Sequence, residues 1–176
     1  RTTVATFQVG RRFDGGATNI GYAVTNDDGR TWTNGLLPGL TVASVPAGPN
    51  ARASDPVVVY DAANSVWLIS TLAIDGRTTR LAINRSTDGS TWGNALTAAE
   101  EVAAQGIAFD KNWITCDNTP TSPFYGRCYL TYTHSSDEDM LAVTTTTDGG
   151  LTWSPPTDIG ASPAVAGGGS RPAWHL

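Results

Sequence analysis

Asp55, Asp110 and Arg171 fall at matching places in an internal repeat, and Lys111, the single lysine of the chain, directly follows Asp110. An arginine or lysine can hold an anionic ligand, and an aspartate can act as an acid or base. Each can equally serve as a structural salt bridge or a solvated loop charge. Arg11 and Arg52 are further candidates of the same kind. The two histidines, His134 and His175, stand far apart with no second ligand at metal spacing, so neither a metal site nor a cofactor is expected. The acidic run from Asp137 to Asp139 lacks the alternating ligand positions of a calcium loop and reads as a solvated turn. Asn84-Arg85-Ser86 fits a glycosylation acceptor, a motif common by chance, and it falls at a strand end.

The repeat itself is carried by three segments: T-N-D-D-G-R-T-W (Thr25 to Trp32), S-T-D-G-S-T-W (Ser86 to Trp92) and T-T-D-G-G-L-T-W (Thr146 to Trp153). Their aspartates, Asp27, Asp88 and Asp148, lie 61 and 60 residues apart. Each segment follows an alternating apolar run, I-G-Y-A-V-T, R-L-A-I-N-R or L-A-V-T-T-T, and so reads as the turn of a β-hairpin. In such a turn the carboxylate accepts from nearby N–H groups. Glycine (Gly29, Gly89, Gly150) supplies backbone angles other residues resist, and the Thr31, Thr91 or Thr152 hydroxyl ties the turn together. Trp32, Trp92 or Trp153 then packs its ring against the sheet.

These segments resemble the Asp-boxes, or BNR repeats, of sialidases and related β-propellers, S-x-D-x-G-x-T-W. The first and third match at Asp, Gly, Thr and Trp, with Thr25 and Thr146 in the serine position; the second is one residue shorter. The resemblance implies that the boxes are structural and lie on the opposite side from the substrate pocket. It also implies a ring of about six blades. Sialidases further carry an F/Y-R-I-P motif, which is absent here. The nearest string, V-G-R-R-F from Val9 to Phe13, has no Ile-Pro after its arginines, and no catalytic role is carried across to it.

In a four-strand blade the unit from Asp55 reads as strands near 56–60, 66–73, 78–86 and beyond 92. The unit from Asp110 reads as strands near 112–116, 127–134, 140–147 and beyond 153, and the match of D-K-N-W at Asp110 with R-P-A-W at Arg171 makes Asp55, Asp110 and Arg171 equivalent. Residues 3–10 and 19–25 look like the second and third strands of one blade, and 171–176 like the first strand of another. The expected organisation is all-β, a partial propeller of four-stranded antiparallel blades: blade parts in 1–50, blades over 51–105 and 106–160, and an entering strand within 161–176. The rest of a longer polypeptide, or a second copy, is expected to close the ring. Loops entering each innermost strand surround a propeller's channel, which places Asp55, Asp110, Lys111 and Arg171 on its ligand face. Trp67, Trp113 and Trp174 could stack on sugar rings, but their alternating strand positions favour core packing.

Composition narrows the function. Sixteen acidic groups against eleven basic ones, with no basic stripe, exclude a nucleic-acid partner. No apolar run approaches the roughly 18 to 20 residues of a bilayer span, and the opening Arg1-Thr2-Thr3-Val4 lacks the apolar core of a signal peptide. Cys116 and Cys128 flank a turn-rich segment; they are bridged if the flanking strands pair as a hairpin, and buried thiols otherwise. A bridge would imply an oxidising compartment. The expectation is a secreted, sialidase-like propeller that binds or hydrolyses a carbohydrate or glycoconjugate. The alternative is a noncatalytic propeller serving as a binding or scaffolding module.

Overall fold

The computed structural model describes residues 1–134 and 140–159, and every regular element among them is a strand. Strands β1 (Thr3–Arg11) and β2 (Ala17–Thr25) pair antiparallel, and β3 (Thr33–Leu36) adds to the second half of β2. A meander follows: β4 (Arg52–Asp61), β5 (Val66–Asp75), β6 (Thr78–Ser86) and β7 (Leu96–Val102). One residue pair, Ala17 with Ala53, joins β2 to β4 and merges these seven strands into one sheet. A second sheet repeats the meander with β8 (Phe109–Cys116), β9 (Cys128–His134), β10 (Met140–Thr146) and β11 (Thr157–Asp158).

Side-chain alternation determines how these meanders stack. On one face of the central meander, Leu68, Leu72, Leu81 and Ile83 meet Phe109, Ile114, Leu130 and Tyr132 of the second sheet. On the other face, Ile69, Ala73 and Ala82 meet Ile20, Val24, Leu37 and Leu40 from the β1–β3 side. The meander β4–β7 is therefore sandwiched between two neighbours, which is why β5 is a nearly continuous apolar run rather than a half-polar one. Each fully buried leucine or isoleucine contributes about 1.5–3 kcal/mol.

The tight turn between β5 and β6 illustrates the local logic. Asp75 pairs with Thr78, and Gly76 takes the first of the two intervening positions at φ 59°, where a left-handed residue matches the strand twist. That turn, the β1–β2 hairpin and the connections entering β4 and β8 lie at one end of the strands. The three Asp-Gly-Thr-Trp turns and the β4–β5 and β8–β9 hairpins lie at the other.

Candidate functional site

Both entering strands carry a bulge near their start. The β4–β5 ladder jumps from Ser54–Leu72 to Val57–Ser70, and the β8–β9 ladder from Asp110–Thr133 to Trp113–Thr131. At each bulge one residue is left-handed: Asp55 at φ 48° and Lys111 at φ 53°. Corresponding positions are thus Asp55 with Lys111 and Ser54 with Asp110. This corrects the sequence alignment, which equated Asp55 with Asp110; the two aspartates sit one place apart because the bulge, invisible in the sequence, sets the register.

Polar groups surround both bulges. Ser54 donates to Asp55 at 2.8 Å and accepts from Gln8 Nε2 at 3.2 Å. Asp110 accepts the Lys111 backbone N–H at 2.9 Å, and its other oxygen lies 3.2 Å from Lys111 Nζ. Buried Asn112 donates to Ser70 Oγ at 2.9 Å. Gln8 Oε1, Thr71 Oγ1 and Asn112 Oδ1 are buried without a hydrogen-bond partner among the described residues. Left-handed aspartate and lysine are costly, and such strain concentrates at working sites. Arg52, by contrast, is tied down: it pairs with Asp14 at 3.1 Å and donates to the Asp14 and Gly15 carbonyls. Arg12 pairs with the same carboxylate at 3.1 Å and, as the dominant cause, holds it below the usual carboxylate range. Arg11 ends β1 and is exposed. Arg171, Trp174, His175 and the run from Asp137 to Asp139 lie outside the described residues.

The Asp-Gly-Thr-Trp turns sit at the opposite end and are self-contained hydrogen-bond clasps. Asp27 accepts from the Thr31 backbone at 2.9 Å and the Thr31 hydroxyl at 2.7 Å, and Asp148 binds Thr152 in the same way. The hydroxyl of Thr25, Ser86 or Thr146 bridges each aspartate to a glycine N–H. Hydrogen bonds, chiefly from Thr31, lower the Asp27 carboxyl to about 2. At Asp148 burial pushes upward, but bonds from Thr152, Thr146 and Leu151 prevail and lower it to about 2. Asp88 is also held low, mainly by the Thr91 and Ser90 N–H groups. The shorter second turn keeps this clasp because it drops one left-handed residue: Asp28-Gly29 and Gly149-Gly150 are left-handed pairs, whereas Gly89 stands alone.

The three tryptophans differ. Trp92 is buried at 8% exposure, and its Nε1 donates to Gly89 O at 3.1 Å. Trp153 packs against the core, but its Nε1 is buried without a partner. Trp32 is 46% exposed, so the expected packing against the sheet does not hold there. Core packing also fails for Trp113, 63% exposed on the face of β8 opposite buried Asn112 and Ile114, whereas Trp67 packs on Tyr60 with ring centres 4.8 Å apart. Asn84 is fully buried and donates to Pro38 O and Gly93 O, which removes it as a glycosylation acceptor in the fold.

Cys116 and Cys128 face each other across β8 and β9 and form a disulfide. Buried Asp61 lies 3.7 Å from Cys128 Sγ, but sulfurs joined to each other cannot act as thiolate ligands, so this trio is no metal site. Asp61 instead caps its turn, accepting from Ala63 N, Asn64 N and Asn64 Nδ2. A cavity of about 250 Å³ opens between β7 and the second sheet, lined in part by Glu101, Phe109, Tyr132, His134 and Asp158. Sequence reasoning missed it, since it considered His134 only as a metal ligand. Burial, aided by Asp158 and Glu101, pushes the Tyr132 phenol up to about 12.

Stacked four-stranded meanders, each entered at its innermost strand and closed by an Asp turn before its last, constitute a recognisable architecture. The fold is a β-propeller's. No protein-family model matches the chain, and no curated protein does. Solved structures do. An α-L-arabinofuranosidase mutant from Fusarium graminearum, complexed with an iminosugar inhibitor, aligns at TM-score 0.61 and 18% identity over 89% of this chain and 45% of its own. Penicillium chrysogenum α-L-arabinanase, complexed with arabinobiose, aligns at TM-score 0.62 and 15% identity over 94% of this chain and 48% of its own. A Hadza microbial sialidase aligns at TM-score 0.58 and 16% identity over 86% and 34%. The chain thus spans less than half the length of each of these propellers. Among the described residues no helix is long and apolar enough to cross a membrane.

Proposed function

We propose that this chain forms part of a secreted, glycan-directed propeller of the glycoside hydrolase kind, with its ligand face at the end where β4 and β8 begin. The observation that carries this reading is that three glycosidases of differing sugar specificity share the fold over 86 to 94% of the chain. The three clasped turns, which match the Asp-box pattern, support a sialidase-like ring, and the disulfide fits an oxidising compartment. Asp55, Asp110, Lys111 and Arg171 are the proposed ligand-contacting residues, with the blades over 51–105 and 106–160 completed by segments of a longer polypeptide or by a second copy. A second reading, a noncatalytic propeller acting as a binding or scaffolding module, draws on the pairing of Asp110 with its own neighbour Lys111. The complete polypeptide assayed on 4-methylumbelliferyl α-L-arabinofuranoside and α-sialoside separates the two. Release of the fluorophore from either supports hydrolysis; glycan binding without release supports the second reading, and neither binding nor release overturns both.

A further inference from the structure

The bridge between Cys116 and Cys128 is what keeps a buried trio from acting as a metal centre. A carboxylate oxygen of Asp61 and the two sulfurs lie within 4.8 Å of one another, and Asp61 and Cys128 are both 0% exposed. The three residues come from β4, β8 and β9, so the trio spans the seam between the two sheets. Asn118 fixes that seam on either side of Asp61, donating to Tyr60 O at 2.7 Å and accepting from Ala62 N at 2.8 Å. The lone pairs of Asp61 are not all used. Oδ1 accepts from Ala63 N and Asn64 N, and Oδ2 from Asn64 Nδ2, which leaves one pair on Oδ2, the oxygen 3.7 Å from Cys128 Sγ. A disulfide sulfur carries no hydrogen to donate to it. Among the described residues no arginine, lysine or histidine pairs with Asp61 either. A carboxylate so buried is ordinarily paired with a cation or bound to a metal.

We infer that reduction of the bridge opens a site for a thiophilic divalent cation of the zinc class, held by Cys116, Cys128 and Asp61. The site goes beyond the glycan-directed function and does not rest on it. A thiolate of a dithiol reductant attacks Cys116 Sγ, the less buried sulfur; the S–S bond breaks and its electron pair goes to Cys128 Sγ, which takes up a proton. The reductant's second thiol then bonds to its first sulfur, releasing Cys116 as a thiol and leaving the reductant as a cyclic disulfide. The cation displaces the two thiol protons to solvent. Zinc, with sulfur at about 2.3 Å and oxygen at about 2.1 Å, sets tetrahedral ligand atoms roughly 3.6 to 3.8 Å apart. The 3.7 Å between Asp61 Oδ2 and Cys128 Sγ is already such a spacing, so only the sulfurs must part. Paired thiolates select this ion over magnesium or calcium. The bound ion ties β4 to the β8–β9 hairpin, whereas the disulfide ties the hairpin alone. A compartment that preserves the bridge keeps the site closed.

The test uses the full chain, oxidised or reduced with a water-soluble phosphine so that no added thiol competes, titrated with cobalt(II) and then zinc(II). The reduced wild type should develop thiolate-to-cobalt charge-transfer and tetrahedral d–d bands that saturate at one ion per chain and vanish on adding zinc. The oxidised chain should develop neither. Zinc should also raise the melting temperature of the reduced chain and leave that of the oxidised chain unchanged. Asp61→Asn should weaken cobalt binding about tenfold or more. If near-ultraviolet circular dichroism shows that this variant does not fold, Cys116→Ser carries the same expectation, with weaker charge-transfer absorption. Equal bands in the oxidised chain, undiminished affinity in the variant scored, or no bands in the reduced wild type overturn the site. A reduced wild type that unfolds and is not refolded by zinc overturns it as well. Each of these outcomes leaves the fluorogenic assay to decide the proposed function separately.

Discussion

Lys111 is the residue whose backbone and side chain make opposite demands. Its left-handed φ of 53° would suit glycine, and relief of that conformation is worth about 1 kcal/mol. Lys111→Gly should therefore raise the denaturant midpoint while weakening any anionic ligand of the bulge face. A variant that is destabilised would show that the Lys111–Asp110 pair, not function, retains the lysine. Asp148 makes a pH prediction. Its folded carboxyl, at about 2, lies below its ordinary 3.8, so its contribution is complete above about pH 4 and is lost as pH falls toward 2. Urea midpoints should fall over that window in the wild type and less steeply in Asp148→Asn. Equal slopes would remove the clasp from the account of acid stability.

At the level of elements, the three turns share a motif but not an environment. Trp92→Ala should cost about 3–5 kcal/mol, because the ring fills the cluster around Ile20 and Ile69. Trp32→Ala, at a half-exposed ring, should cost about 0.5 kcal/mol or less. Phenylalanine at Trp153 loses no hydrogen bond, whereas at Trp92 it loses the bond to Gly89, so Trp92→Phe should be the more damaging of the two by thermal melting. The disulfide closes the β8–β9 hairpin across a separation of 12 residues, and reducing it should lower stability by about 3 kcal/mol in the chain-entropy picture. Melts with and without reductant measure this, and coincident curves would show that the hairpin is held by packing alone. How legible these elements were varied for a physical reason. Strand positions and turn chemistry depend on neighbours within a few residues and were read correctly to within a few positions. The exposure of Trp113 depends on which face of β8 is covered, which only the packing of the sheets reveals.

For the whole molecule the open question is closure. Among the described residues β1 pairs with β2 alone, leaving its other edge without a strand. An edge of this kind invites association. We propose that a strand of a second copy, or a segment of a longer polypeptide, covers that edge. Sedimentation of the 176-residue chain distinguishes these: a discrete dimer supports closure by two copies, and aggregation supports a ring completed by a longer chain. A stable, well-folded monomer would overturn the proposed blade count.

Sequence alone determined what local chemistry and periodicity can encode: an all-β chain, three recurrent Asp turns, most strand positions, and the two cysteines that share a hairpin. These follow from alternation along a strand and from hydrogen bonds spanning four residues or fewer. Tertiary structure decided the rest. It aligned Asp55 with Lys111, because a bulge counts residues against a partner strand. It buried Trp92 but exposed Trp32 within one motif, because burial belongs to the adjoining sheet. And it brought Glu101, Tyr132, His134 and Asp158, drawn from three separate strands, around one cavity, because face-to-face packing of two meanders sets side chains together without leaving any spacing in the chain.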